Sequence, residues 1–271
     1  NEIFITSRHK NQESNSLVFD LEDSTTYCNI DFNSFDLVLM LVSTMCGIQS
    51  KKMNNNTFNL NCLAYKNLLN YLVEINYSNK IVYVSSMTVY SSKNNSPVDE
   101  KGSTISPPNP YGLSKLIAEQ LTEFYCHENG FNGVIIRIPG LFGGDRNGGF
   151  IYNAIDKIFR NKDFHISTEN LKYWEAISVI DASEMFLEFL HHYEWEKDCE
   201  TYNISYGCET DIVETAYYIK EKLESKSEIT TTNPKGYVPF YLSNEKYKSL
   251  TNNNTKNFKD SLLTYIKTVV K

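Results

Sequence analysis

Ile81-Val82-Tyr83-Val84-Ser85-Ser86 and, further on, Tyr111-Gly112-Leu113-Ser114-Lys115 are read together as a strand and the opening of a helix. The first is an apolar, β-branched run closed by two hydroxyls. The second comes after Pro107-Pro108-Asn109-Pro110; a proline at the first helical position pre-sets the backbone for the turns after it. Tyr111 and Lys115, four apart, then lie one turn from each other on one helix face. An ordinary phenol titrates near about pH 10 and is a poor base at neutrality. A neighbouring ammonium favours phenolate, so Lys115 is expected to draw Tyr111 toward the working range. Ser86, at the strand end, can offer a second hydrogen bond to a substrate oxygen. The trio suits a proton relay that moves hydride on and off a carbon bearing a hydroxyl or keto group. Without their surroundings, the tyrosine and lysine would read as one face of an amphipathic helix.

On either side of this pair, strand-like and helix-like segments alternate. Ile3–Thr6 and Leu17–Asp20 read as strands. Phe35–Ser43 is a near-continuous apolar run, the pattern of a central parallel strand covered on both faces. Asn61–Ile75 has helical period through Leu63, Leu68, Leu69 and Leu72, and Pro110–Asn129 is a long helix. Gly133–Ile138 is a further strand. The alternation predicts an α/β fold with a doubly wound parallel sheet. Beyond Gly143 the pattern loosens: a loop Gly144–Gly149, a helix Phe150–Phe159, a short strand Ala176–Asp181 ending in an acid, and a helix Ala182–His191. Then come a strand Tyr202–Ser205 and helices Asp211–Leu223 and Ser261–Val269. The expected division is residues 1–143 as one domain and 144–271 as a smaller portion, with 176–205 returning to the main sheet.

Bulk properties exclude several classes. With 271 residues and 41% hydrophobic content the chain can bury a large core. A net charge of −7 argues against a nucleic-acid partner, which needs a basic face. No apolar run is long enough for a membrane span, and no leader pattern opens the chain. Cys28, Cys46, Cys62, Cys126, Cys199 and Cys208 form no Cys-x-x-Cys pair and read as free thiols of a reducing, cytoplasmic setting. The histidines have no metal-ligand spacing, adjacent His191 and His192 included, so no metal site is expected. The Asn-rich stretches around 51–61 and 252–257 read as loops.

Three segments, in this order, carry a resemblance: Ser85-Ser86-Met87-Thr88-Val89-Tyr90, Pro107 through Tyr111-Gly-Leu-Ser-Lys115 to Glu119, and Ile136-Arg137-Ile-Pro139-Gly140-Leu-Phe-Gly143. They resemble the extended short-chain dehydrogenase/reductase family, in its nucleotide-sugar epimerase/dehydratase branch. The resemblance implies a Rossmann-like dinucleotide-binding domain, a C-terminal substrate-binding portion, and NADP or NAD as cofactor. It implies Tyr111 as acid/base, Lys115 on the ribose, Ser86 on the substrate oxygen, and Pro139 against the nicotinamide. It also implies a homodimer built from the helices 61–75 and 110–129.

Dinucleotide-binding sheets open with a strand, a glycine-rich turn and a helix N-terminus that takes the pyrophosphate. Here the first glycine is Gly47. The expectation is a strand-loop-helix unit of about 30 residues upstream of Asn1; the alternative is a loop truly absent and cofactor binding crippled. Under the first reading Ile3–Thr6 matches the family's second strand. Ser7 and Arg8, with Lys10 nearby, then fall where the adenosine ribose is read, and the basic residues lean toward NADP. Asp20-Leu21 resembles the family's acid beside the adenine. Leu41-Val42-Ser43 resembles the turn that passes the cofactor, and Asn61 the asparagine that props the active site.

On the substrate side, dehydratases of the family carry an Asp-Glu pair where this chain has Met87-Thr88, so a 4,6-dehydratase is not expected. Gly140 stands where nucleotide-sugar binders commonly have asparagine. Trp174 stands where they have an arginine on the diphosphate, leaving Arg146, Lys162 or Lys172 as the cationic clamp. Trp174 either stacks on a base or sugar face or packs in the core. The expected function is an NAD(P)-dependent epimerase or ketoreductase acting on a nucleotide-activated sugar. The rival is a catalytically silent dinucleotide-binding sensor or scaffold.

Overall fold

In the computed structural model the described residues are 2–9, 15–45, 51–167, 174–195, 199–232, 240–251 and 256–270. Lys10, Cys46, Gly47, Lys172 and most of the stretch 252–257 lie outside them. The chain divides into two compact units. The first comprises residues 1–89, 105–136 and 194–201, the second 90–104, 137–193 and 202–271.

The first unit begins with β1 (Ile5–Ser7) and β2 (Ser16–Val18), a parallel pair in register from Ile5 against Ser16 to Ser7 against Val18. β3 (Leu37–Met40) is followed by α1 (Asn55–Phe58), a wide π turn (Asn59–Ala64) and α2 (Tyr65–Glu74). Then come β4 (Lys80–Ser86), α3 (Pro110–Asn129) and β5 (Asn132–Ile138). β3 and β4 are parallel, Leu37 against Lys80 through Met40 against Tyr83. With β9 (Glu200–Asn203) they form one sheet in the order β3–β4–β5–β9. Local chemistry explains the helix ends. Asn109 caps α3 by accepting from the Gly112 N–H at 2.9 Å, Pro110 comes next, and Gly130 closes the helix in the left-handed conformation at φ 72°. Leu68, Leu69 and Leu72 of α2 bury against Phe19, Tyr27, Phe32, Ile81 and Ile135 in one core. Each such side chain stabilises the unit by about 1.5–3 kcal/mol.

Two expectations fail here. The Asn-rich stretch is not all loop, because Asn54 accepts from the Thr57 N–H at 2.7 Å and starts a helix at Asn55. The run 35–43 is not covered on both faces. Among the described residues β3 has a partner only in β4, and Leu39, Leu41 (63% exposed) and Val42 face solvent.

The second unit contains β6 (Gly140–Phe142), α4 (Gly149–Phe159), β7 (Phe164–Ile166) and β8 (Ala176–Ser178). α5 (Val179–His192), α6 (Ile212–Lys222), β10 (Ile229–Thr231), α7 (Glu245–Thr251) and α8 (Phe258–Val269) complete it. β6 pairs in parallel with β8, and β7 with β10. The strand expected over 176–181 stops at Ser178, whose hydroxyl accepts from the Ile180 N–H at 3.3 Å and caps α5. Asp181 therefore sits in a helix's first turn, where its charge suits the dipole. It also accepts from the Tyr206 hydroxyl at 2.6 Å and from Ser261. β6, β7, β10 and α7 are too short for periodicity to show them in the sequence. No helix among the described residues is long and apolar enough to cross a membrane.

Candidate active site

The opening of α3 lies directly on the turn that comes after β4. A Cβ on Gly112 would stand 2.1 Å from the Thr88 carbonyl oxygen, so only glycine lets the helix approach this closely. In that turn the Ser86 hydroxyl accepts from the Thr88 N–H at 3.2 Å and bonds the Thr88 hydroxyl at 3.0 Å. Close packing thus brings Tyr111, Ser86 and Thr88 to one place in the first unit, with Met87 buried beneath.

Asn61 ties three segments together from the π turn, a wide helical turn of the kind often found at functional sites. Its amide oxygen accepts from the Thr44 N–H at 2.8 Å, and its nitrogen donates to the Thr44 carbonyl at 2.9 Å and the Ser114 hydroxyl at 2.9 Å. Ser114 in turn donates to the Tyr111 carbonyl at 2.7 Å. The exposed turn Leu41-Val42-Ser43 is therefore anchored at its end, and Ser43 hydrogen-bonds the Tyr111 side chain.

The electrostatics differ from the sequence expectation. Tyr111 is not drawn down: burial holds its phenol above the ordinary value, and the group opposing that is the Ser43 hydroxyl. Lys115 is 3% exposed, and its ammonium donates to the Val84 carbonyl at 2.9 Å and lies 4.9 Å from the Tyr83 ring centre. Loss of solvation lowers its pKa to about 8, and the carboxylate of Glu119 pulls the other way. A lysine lowered to about 8 is still mostly protonated at neutral pH but loses its charge far sooner than an ordinary lysine.

At the ends of β1 and β2, the half-buried Ser7 accepts from the His9 N–H at 3.4 Å. Arg8 is paired with Asp20 at 3.3 Å and Glu22 at 2.8 Å. Leu21 packs into the core while its carbonyl accepts from Tyr27 at 2.6 Å. This donor set fits a dinucleotide at both ends. Lys115 commits one of its three donors to Val84 and stands with a phenol and a serine hydroxyl at the carboxyl ends of parallel strands, which suits the ribose and nicotinamide. Asp20 and Arg8 provide an acid and a cation for the adenosine.

The remaining candidates belong to the second unit. Pro139 is buried. The Gly140 N–H donates to the Glu175 carbonyl at 3.1 Å. Arg146 donates to the Leu141 carbonyl at 3.0 Å and is otherwise exposed. Trp174 meets the Phe150 ring edge-on at 5.6 Å, an aromatic packing contact. Lys162, exposed, lies just past the end of α4.

Sequence reading missed Gly112, Ser114 and Glu175. A glycine in the first turn of a capped helix was the available signal for the first. An acid inside the apolar run Trp174–Ile177 was the signal for the last. Ser114 gave none.

Comparison with known proteins gives the family and the fold. The family model "NAD dependent epimerase/dehydratase family" matches residues 3–205. A putative UDP-glucose 4-epimerase of Methanocaldococcus jannaschii is 27% identical over 256 residues, covering 91% of this chain and 82% of that protein. Among solved structures, a UDP-N-acetylglucosamine 4-epimerase from Bacillus cereus aligns at TM-score 0.79 and 22% identity, over 98% of this chain and 86% of that one. RMD from Pseudomonas aeruginosa complexed with NADPH aligns at TM-score 0.79 and 21% identity, over 93% and 86%. These structural likenesses establish the shared α/β, Rossmann-like fold.

Proposed function

Because this chain belongs to the NAD-dependent epimerase/dehydratase family, we propose that it epimerises a hydroxyl-bearing carbon of a nucleotide-activated sugar, with Tyr111 as acid/base. The observation that supports the reading is the packing of the opening of α3, with Tyr111 and Lys115, on the end of β4 that holds Ser86, through Gly112 against Thr88, Lys115 on the Val84 carbonyl and the Asn61 bridge. NAD or NADP, held by Lys115 at the ribose and by Asp20 at the adenosine, would supply the hydride acceptor and donor. Tyr111 takes the proton of the sugar hydroxyl and gives it back, while the Ser86 hydroxyl donates to the same oxygen. Removing that proton needs phenolate, so the Ser43 hydrogen bond and the Lys115 charge must offset what burial does to Tyr111. Lys115 also holds the ribose.

Epimerisation is favoured over reduction because Arg8 is already held by Asp20 and Glu22. Two acids at the adenosine end suit the free ribose hydroxyls of NAD better than the extra phosphate of NADP. Dehydration is disfavoured: Met87 is buried and the Thr88 hydroxyl is bonded to Ser86, so neither supplies a second acid or base. Arg146, exposed in the loop after β6, is the cation proposed for the diphosphate. The exposed Leu63, Leu113 and Phe124 on the α2–α3 side support a homodimer, which sedimentation of the full chain would check.

The test is native mass spectrometry of the full chain, release of its small molecules by denaturation, and assay of UDP-glucose and UDP-N-acetylglucosamine by NMR. Retained NAD and conversion to the C4 epimer, lost in Tyr111→Phe, is the expected result. Uptake of NADPH into an empty site with stoichiometric oxidation would replace the epimerase by a ketoreductase. Binding of neither dinucleotide would overturn both and leave a silent scaffold.

A further inference from the structure

Tyr111, Lys115 and Glu119 form one i, i+4, i+8 stripe along α3, and the last two are buried at 3% and 2% exposure. A buried ammonium that donates to one carbonyl and lies over one ring face is poorly compensated for the water it has lost. The Lys115 ammonium meets the Val84 carbonyl and the Tyr83 ring of β4 and feels Glu119 of α3, and around Tyr83 stand Tyr65 of α2, Tyr111 and Glu119 of α3 and Cys62 of the π turn. Of these, Tyr65 and Tyr83 are pushed well above the ordinary phenol value by burial, Tyr111 is raised, and the Cys62 thiol is pushed up to about 11. None of them carries charge at neutral pH. Glu119 is the group whose charge acts on Lys115 to favour the ammonium.

We propose that Glu119 is the positioning residue that keeps Lys115 protonated inside the first unit, so that the stripe presents a cation rather than a neutral amine next to Tyr111. Helix spacing places the carboxylate one turn from the lysine, in a medium where charge interactions reach further than in water. The ammonium's hydrogen bond goes to the Val84 carbonyl rather than to the carboxylate. A direct ion pair would have tied the amine down. A carboxylate one turn away biases its charge and leaves it available to a ribose. The consequence for hydride transfer rests on the function proposed above; the charge state of Lys115 does not.

The test tracks the Lys115 Nζ resonance by NMR in full chain labelled at lysine with ¹³C and ¹⁵N, assigned through Lys115→Arg. The native midpoint is expected near pH 8. In Glu119→Gln it should fall by about one pH unit or more, and Glu119→Asp should recover part of the shift. Coincident midpoints in the native chain and either variant would overturn the proposal. If Glu119→Gln does not fold, the Asp variant alone decides, since the shorter acid must still lower the midpoint. A second readout is the pH dependence of kcat at saturating dinucleotide. The rate deficit of Glu119→Gln should widen as pH rises through neutrality, whereas a merely structural loss would be the same at every pH. An Nζ shift in a protein with no hydride-transfer activity would refute the function and leave the Glu119 assignment standing.

Discussion

Each unit of this protein buries one ionisable side chain that burial shifts to about the same pKa, and the two are opposites. Lys115 in the first unit is lowered to about 8 and Glu175 in the second is raised to about 8, each mainly by lost solvation. Lys115 donates to the Val84 carbonyl and has Glu119 as a charge partner. Glu175 is built into the backbone. One carboxyl oxygen accepts from the Leu242 N–H at 2.9 Å, its carbonyl accepts from Gly140, and Ser205 hydrogen-bonds its side chain. Its other oxygen, Oε1, is buried without a hydrogen-bond partner among the described residues. Burial therefore serves two ends. In the first unit the buried charge lies on a helix stripe beside a phenol, the place the proposed chemistry needs it, whereas in the second a protonated acid is stitched to loops and strands.

The signs of their pH dependence are opposite too. Between 4.5 and about 8 the folded chain keeps a proton on Glu175 that the unfolded chain has released, so stability falls as pH rises through that window. Between about 8 and 10.5 the folded chain has released the Lys115 proton that the unfolded chain keeps, so stability rises with pH there.

Removing the cation is the largest perturbation. Lys115→Met should lower kcat/KM by about 10²–10⁴-fold with only a small change of stability at pH 7, because the relief of burying the ammonium is offset by the buried Glu119 that loses its charge partner. Steady-state rates and urea melts on one preparation read both. A large loss of stability would make Lys115 a structural residue and erase the contrast.

Glu175→Gln comes next. The amide can accept from Leu242 without holding a proton, so urea midpoints should stop falling between pH 4.5 and 8. At pH 9 the variant should be more stable by about 2–4 kcal/mol, with turnover near the native rate. A collapse of turnover at unchanged stability would move Glu175 into the chemistry.

Two glycines repeat the contrast at a smaller scale. Gly112→Ala drives a methyl to 2.1 Å from the Thr88 carbonyl, and backbone cannot yield cheaply. It should cost about 1–3 kcal/mol and most of the activity. Gly140→Ala meets the Glu175 carbonyl at 3.3 Å and should be tolerated far better. Thermal melts and rates of the two variants side by side would show equal effects if the first unit's helix contact were not the tighter one. The smallest effect belongs to Arg8→Ala, an exposed pair contributing about 0.2–1 kcal/mol. Its informative readout is the ratio of NAD to NADP affinity, which should change little if Asp20 and Glu22 already neutralise the arginine.

Local chemistry was legible in the chain. The cap at Asn109, Pro110 at the first helical position and the Tyr111–Lys115 spacing are contained in a few consecutive residues, so α3 can be read from them directly. The strand at 81–86, with its apolar run and closing serines, is read in the same way. Asn61 was legible by resemblance alone, since no local signal sets it apart from the many other asparagines. Its value lies in reaching Thr44 and Ser114, far away in sequence, and a π turn aims it there.

The alternating α/β order and the set of side chains sharing one face of α3 are thus written in the chain, because periodicity and capping act over one or two turns. Folding had to settle that β3 pairs only with β4 among the described residues, that Gly112 seats the helix on Thr88, and that Trp174 packs against Phe150. It also set the direction in which Tyr111 shifts. Spacing placed a lysine beside the phenol, but burial raises Tyr111 and the Ser43 hydroxyl opposes it, and neither is a property of neighbours in the chain.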